Sequence, residues 1–372
     1  MNVRRLIPAT ATAGAVALGL MAVSACSTSD AAERTDDGRL KVTASFYPMQ
    51  FLAERIGGEH VSVTTLTKPG VEPHDLELKP RQTAELNDSG LVLYLKGIQP
   101  AVDEAVAESS VQHKVDAASL TKLVSHGAEG GHDHEHGAEP HDHTPGAEES
   151  HDHGPDEHAD DHGADEHKDE HGHEESGAPE EHSEEPGADD HGHDHSTEGG
   201  ADPHIWLDPV KYAEVAEGVG KALEKADPDH AADYAKNTKD LVGKLKALDT
   251  AFAQGLKNTD TRTFITTHAA FGYLADRYHL DQEGIAGIDP EAEPTPARIQ
   301  ELQKIAKQEK VTTVFFETLA SDRTAKTLAQ DTGLKTDVLD PLEGITDSSK
   351  GRDYIEVMES NLAALKKALG AK

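Results

Sequence analysis

Cysteine occurs once in the 372 residues, at Cys26. That excludes a disulfide framework and a thiolate zinc ribbon, since both need several thiols at set spacings. Aromatic side chains are scarce at 4%, and basic ones are outnumbered, with 35 Lys and Arg against 70 Asp and Glu for a net charge of −35. A chain so acidic repels phosphate backbones, which argues against nucleic acid as a partner. Taken together with 32 Gly and 18 Pro, this is the balance of a partly disordered acidic chain rather than of one packed domain.

What is present is unevenly spread. Residues 126–200 hold 26 of the acidic side chains, one basic side chain (Lys168) and 17 of the 24 histidines, a charge of −25. The other 297 residues carry only −10. Apart from a few alanines the 126–200 stretch has almost nothing apolar to bury, so it reads as a disordered insert. The remainder has the make-up of an ordinary α/β protein, long enough for two domains of roughly 100–150 residues each.

The N-terminus reads as an address. Arg4 and Arg5 precede an apolar run, Leu6 to Val23, broken by Pro8, Thr10, Thr12 and Gly14. The breaks argue against a permanent membrane span, and a basic start followed by a short apolar stretch and small residues makes a secretory signal over residues 1–25. Its ending, Val23-Ser24-Ala25-Cys26, resembles a bacterial lipobox, in which the cysteine becomes the lipidated first residue. Residues 26–38 then read as a polar tether. Each methylene of an acyl chain buried in the membrane contributes about 0.8 kcal/mol, so the expected location is extracytoplasmic, anchored to the cell membrane.

Strand-like runs alternate with helical segments through the rest. Leu40 to Phe46, Val61 to Leu66 and Leu91 to Leu95 are short and rich in branched residues, as buried parallel strands are. Asp208-Pro209 and Asp227-Pro228 each look like a helix N-cap followed by proline at the first helical position. From Asp227 a stripe of Leu241, Leu245, Leu248, Phe252 and Leu256 marks a helix that would reach Lys257, roughly 45 Å at 1.5 Å per residue. A second series follows, with strands at Thr261 to Thr266, Val311 to Phe316 and Thr336 to Leu339, a helix opened by Thr295-Pro296, and a terminal helix near Tyr354 to Leu369. The expected architecture is α/β: two Rossmann-like βα lobes, 39–226 and 258–372, joined by one long bridging helix, 227–257. Ligands of such sheets bind beyond the carboxyl ends of the strands.

Three histidines outside the insert lie in turn-rich contexts after strands or beside proline. They are His74 in Val71-Glu72-Pro73-His74-Asp75, His204 in Asp202-Pro203-His204-Ile205-Trp206-Leu207-Asp208-Pro209, and His268 after Phe264-Ile265-Thr266-Thr267. Asp340 ends its strand in Leu339-Asp340-Pro341-Leu342, and Glu317 ends another. With the segment Thr267 to Tyr273, these motifs in this order resemble the zinc-binding members of the cluster A-I solute-binding proteins, ZnuA-like components of metal ABC importers. The resemblance covers nearly all of the chain from Lys41 onward, and the histidine-rich insert ahead of the second motif looks like the loop of zinc-type members. Gln99-Pro100 departs from the pattern, where many members have an acidic residue and a tryptophan.

The resemblance implies that His74, His204 and His268 are metal ligands with Asp340 the fourth. Three imidazoles and a carboxylate suit four-coordinate Zn²⁺, whereas Mn²⁺ would take more carboxylate and Ca²⁺ nearly all oxygen; raw affinity alone does not exclude Cu²⁺. Glu317 is expected to orient a metal-bound histidine rather than to ligate. The implied function is capture of Zn²⁺ between the lobes by a monomeric carrier, which delivers it to an ABC permease and its ATPase. The alternatives are a Mn²⁺-binding homologue, a metal-binding adhesin or a zinc hydrolase. Four protein ligands leave no open position for a catalytic water, which disfavours the hydrolase and any enzyme.

The insert carries paired imidazoles such as His132-Asp133-His134 and His191-Gly192-His193. On an unstructured chain these would bind divalent ions weakly and exchange them quickly, as a collector of zinc for the cleft. The match of His167-Lys168-Asp169-Glu170-His171 to a peptidase motif has no apolar helix face to support it and is dismissed.

Overall fold

The structure, a computed structural model, describes residues 33–126 and 201–372. The expected signal over residues 1–25, Cys26 and the body of the histidine-rich insert lie outside the described residues. Two parallel four-stranded sheets organise the described chain. The first is built from β1 (Leu40–Ala44), β2 (Val61–Thr65), β3 (Leu91–Tyr94) and β4 (His113–Asp116), in the order β2-β1-β3-β4. The second repeats the arrangement with β5 (Thr263–Thr266), β6 (Asp281–Gly284), β7 (Thr313–Phe316) and β8 (Lys335–Val338), in the order β6-β5-β7-β8. Both agree with the expected pair of βα lobes.

Two of the strands carry little of the expected apolar signal. β4 reads His-Lys-Val-Asp and β6 reads Asp-Gln-Glu-Gly. Each stands at an edge, with one strand neighbour only, so it buries less side chain and needs fewer branched residues. The central strands β1, β3 and β5 are almost wholly buried and match their apolar composition.

In the first lobe helices α1 (Tyr47–Gly57), α2 (Pro80–Asn87) and α3 (Pro100–Glu108) connect the strands. The departure at Gln99-Pro100 leaves the start of α3 intact. Pro100 takes the first helical turn, where it gives up no bond, and buried Gln99 donates to Thr67 Oγ1 at 2.8 Å. Helix α4 (Pro209–Ala226) starts as the sequence indicates, with the Asp208 carboxylate accepting from Val210 N at 2.8 Å. Arg277 grips the same carboxylate at 2.6 and 2.9 Å, from helix α6 (Gly272–Tyr278) of the second lobe.

The bridging helix is shorter than expected. Asp227-Pro228 opens a single 3-10 turn, Pro228–His230, and α5 proper runs from Ala231 to Gly255. Asp227 does not cap it, because its carboxylate holds Arg34, His230 and Tyr234 instead. The stripe of Leu241, Leu245, Leu248 and Phe252 is buried as its spacing indicates. Through it α5 packs on α4, on α1 and on the terminal helix α9 (Tyr354–Leu369). The second lobe is completed by α7 (Pro296–Gln308) and α8 (Arg323–Thr332). One hydrophobic core runs from Leu40 and Phe46 through Leu245 and Phe252 to Phe264 and Tyr354, so the lobes share an interior. Among the described residues no helix is long and apolar enough to cross a membrane.

Candidate metal centre

The site lies at the carboxyl ends of the strands. His74 is carried by the loop after β2, His268 follows β5, and Glu317 follows β7. β5 and β7 are neighbours between which the chain reverses its direction of winding, the place where open α/β sheets take their ligands. His204 arrives in the short turn ahead of α4. Trp206 fixes that turn: its indole N–H donates to Pro341 O at 2.7 Å, and its own carbonyl accepts from Tyr354 Oη at 2.6 Å. The indole packs edge-on against Phe46 at 5.0 Å.

His74, His204 and His268 converge with Glu343, each offering one donor atom within 4.8 Å of the others. Glu343 Oε1 stands 3.2 Å from His74 Nε2, 3.2 Å from His204 Nε2 and 3.3 Å from His268 Nε2. Ligands about 2.0–2.1 Å from a tetrahedral Zn²⁺ lie roughly 3.3–3.4 Å from one another, and the three separations from Glu343 Oε1 match that spacing. His268 Nε2 and Glu343 Oε2 are buried without a hydrogen bond. Buried polar atoms are ordinarily satisfied, and a cation among the four donors would satisfy His268 Nε2. His204, His268 and Glu343 are enclosed, whereas the His74 side chain keeps 12% of its surface exposed.

Carboxylates orient two of the rings. His204 Nδ1 meets Asp202 Oδ1 at 2.7 Å, and His268 Nδ1 meets Glu317 Oε1 at 2.8 Å. An imidazole that donates from Nδ1 presents its Nε2 lone pair inward, the tautomer a metal needs. Asp202 reaches its partner because it precedes it by two residues, and the same oxygen accepts His204 N at 2.9 Å. Glu317 also accepts from Thr267 Oγ1.

The charges reinforce one another. Burial opposes charge on His204, but Asp202 and Glu343 outweigh it and raise its pKa. His268 is raised further, against burial, by Glu317 and Glu343. Burial would lift the carboxyls, yet the histidines hold Glu343 well below its usual range and Asp202 at about 2. Glu72 goes the other way: burial first, then the nearby Glu343, push it up to about 8.

A family model described as ZnuA, zinc-uptake complex component A, periplasmic, matches residues 42–368. The chain belongs to this family. It is 33% identical over 340 residues to the zinc-binding lipoprotein AdcA of Streptococcus pneumoniae serotype 4, covering 90% of this chain and 56% of that one. The chain thus spans about half the length of that relative. It is 32% identical over 362 residues to the high-affinity zinc uptake system protein ZnuA of Bacillus subtilis strain 168, covering 96% and 97%. Among solved structures, the Zn(II)-bound ZnuA-like domain of Streptococcus pneumoniae AdcA is similar, with a TM-score of 0.62 at 28% identity over 89% of this chain and 99% of that one. The family is one of solute-binding proteins rather than enzymes, and its description gives an extracytoplasmic place.

Within this ZnuA-family site the fourth position calls for a correction. Asp340, expected as a ligand, is not in the cluster. Its carboxylate accepts from Leu342 N at 2.9 Å and from Thr318 Oγ1 at 3.1 Å, while its backbone is locked to Asn361. It fastens the turn that delivers Glu343. Leu342 completes that turn with a left-handed φ of +60°, a conformation costly for a branched side chain and characteristic of functional turns. The residue after it, Glu343, faces the histidines. The motif ending at Leu342 stops one residue short of it, and nothing in local sequence announces a left-handed leucine. His126 is a second surprise. Expected to be part of the disordered insert, it is packed on Asp202, with Nδ1 2.6 Å from Oδ2.

Proposed function

We propose that this chain is the lipid-anchored solute-binding component of a metal ABC importer. It captures Zn²⁺ between its lobes on His74, His204, His268 and Glu343 and delivers it to a permease and its ATPase. The observation that carries this reading is the convergence of three imidazole nitrogens on one buried carboxylate oxygen at 3.2–3.3 Å. That donor set is too rich in nitrogen for Mn²⁺ or Ca²⁺ and fills all four positions of a zinc tetrahedron, leaving none for a hydrolytic water. Asp202 and Glu317 act by holding His204 and His268, not by ligating. Asp340 is assigned no contact with the ion.

The names of the relatives support zinc as the cargo, and the exposed edge of His74 gives the ion a way in. Cys26 serves as the anchor, residues 1–25 as the signal, and the histidine-rich segment as a low-affinity collector, in a protein that works as a monomer. Competition against a zinc chelator tests the proposal. The full chain should bind one zinc tightly, and Ala at His204, His268 or Glu343 should each abolish that tight site while far-UV circular dichroism stays unchanged. Tight binding retained in all three variants would refute the assignment.

A further inference from the structure

The described chain pauses at residue 126 and resumes at 201, and the structure pins these two points side by side. Asp202 N donates to Val124 O at 3.0 Å, while Tyr273 Oη accepts from Val124 N at 2.9 Å and donates to Asp202 O at 2.8 Å. His126 closes the group. Its Nδ1 lies 2.6 Å from Asp202 Oδ2 and its Nε2 lies 2.9 Å from Asp276 Oδ2, with the ring edge-on to Tyr273 at 4.6 Å. The seat is shaped for the ring: a Cβ at Gly272 would come within 2.5 Å of His126 Cγ and 3.0 Å of Asp202 Oδ2.

Asp202 therefore has one oxygen on each side. Oδ1 holds the Nδ1 of His204, and Oδ2 is held by His126. A carboxylate is rigid and planar, so fixing Oδ2 fixes the direction of Oδ1 and with it the rotation of the His204 ring. From this geometry we infer that His126 is a positioning residue for the metal site. It acts through Asp202 to aim His204 Nε2, so the root of the histidine-rich segment and the metal centre share one hydrogen-bond chain, Asp276–His126–Asp202–His204. The inference rests on the zinc-capture reading above.

Partners one step removed from a metal ligand typically change affinity 10–100-fold, and His126 is a step further out, so a rise in dissociation constant of about threefold to tenfold is expected for His126→Ala. Chelator competition on the full chain measures it, and the ligand-field spectrum with one equivalent of Co²⁺ reports the geometry at His204. His126→Asn places an amide N–H near the position of Nδ1 and should restore both constant and spectrum. Gly272→Ala, which leaves the imidazole in the chain but pushes it off its seat, should reproduce the His126→Ala result and serves if His126→Ala does not fold. Wild-type constant and spectrum in both His126→Ala and Gly272→Ala would overturn the inference alone. Weakened binding that His126→Asn fails to rescue, with an unchanged cobalt spectrum, would also overturn it, since that is ordinary structural loss. Absence of tight zinc binding by the wild-type chain would overturn this inference and the proposed function together.

Discussion

Replacing Asp202 with Asn changes one oxygen to an amide at the point where the site's hydrogen bonds meet. The carboxylate is buried, and burial alone would raise its pKa, but His204 and His126 overcome this and hold it at about 2 against a usual 3.8. At about 1.36 kcal/mol per pH unit, that gap is about 2 kcal/mol of stability at neutral pH. The sign follows from the depressed value. The contribution is complete above the unfolded pKa near 4 and is lost as pH falls toward the folded one, with about half gone by pH 3. Thermal unfolding of the metal-free proteins at pH 7 should therefore show Asp202→Asn melting roughly 4–8 °C below wild type. At pH 3 the gap in stability should shrink by about half. Zinc affinity should fall 10–100-fold, since Asp202 sets the tautomer and rotation of His204. An equal loss of stability at both pH values would refute the reasoning, because a charge-linked contribution cannot survive protonation unchanged.

Three other outcomes are expected. Trp206→Ala removes a fully buried indole that holds Pro341 and supports His204. Denaturant unfolding should show a loss of about 3–5 kcal/mol, and a loss below about 1 kcal/mol would mean that the turn is held elsewhere. His204 and His268 keep protons to higher pH than free imidazole, and zinc must displace them. Calorimetry in buffers of different ionisation heat should find protons released as the ion binds, with affinity falling as pH is lowered; no release would contradict the ligand set. Deleting residues 127–200 should lower the total zinc bound while leaving the tight constant within about twofold, because the four donors and His126 all remain. Unchanged stoichiometry would end the collector idea.

The fold was legible where burial dictates composition. The branched runs at Leu40, Leu91 and Thr263 are interior strands, and Asp208-Pro209 opens its helix because both residues act locally. Edge strands β4 and β6 were not legible, since one open side lets them be polar. Asp227-Pro228 looked like the start of a long helix, but its carboxylate is occupied by partners distant in sequence or beyond the first turn, Arg34 and Tyr234. At the site, the three histidines stand in turns beside strand ends, a visible pattern, and the structure brings them together. The carboxylate that meets them is Glu343, three residues beyond the expected Asp340, and the left-handed φ of Leu342 between them turns it toward the histidines. His126 was hidden by its neighbours: in a segment crowded with histidine and acid, composition gives no sign that the first one is packed.

The coordination of the ion tests the central claim most directly. X-ray absorption at the zinc edge, on the full chain loaded with one equivalent, should show a four-coordinate shell of three imidazoles and one carboxylate oxygen at about 2.0–2.1 Å. Glu343→Ala should lose that shell, whereas Asp340→Ala, if folded, should keep its ligands. An oxygen-rich shell of five or six ligands, or a shell unchanged by Glu343→Ala, would contradict the account.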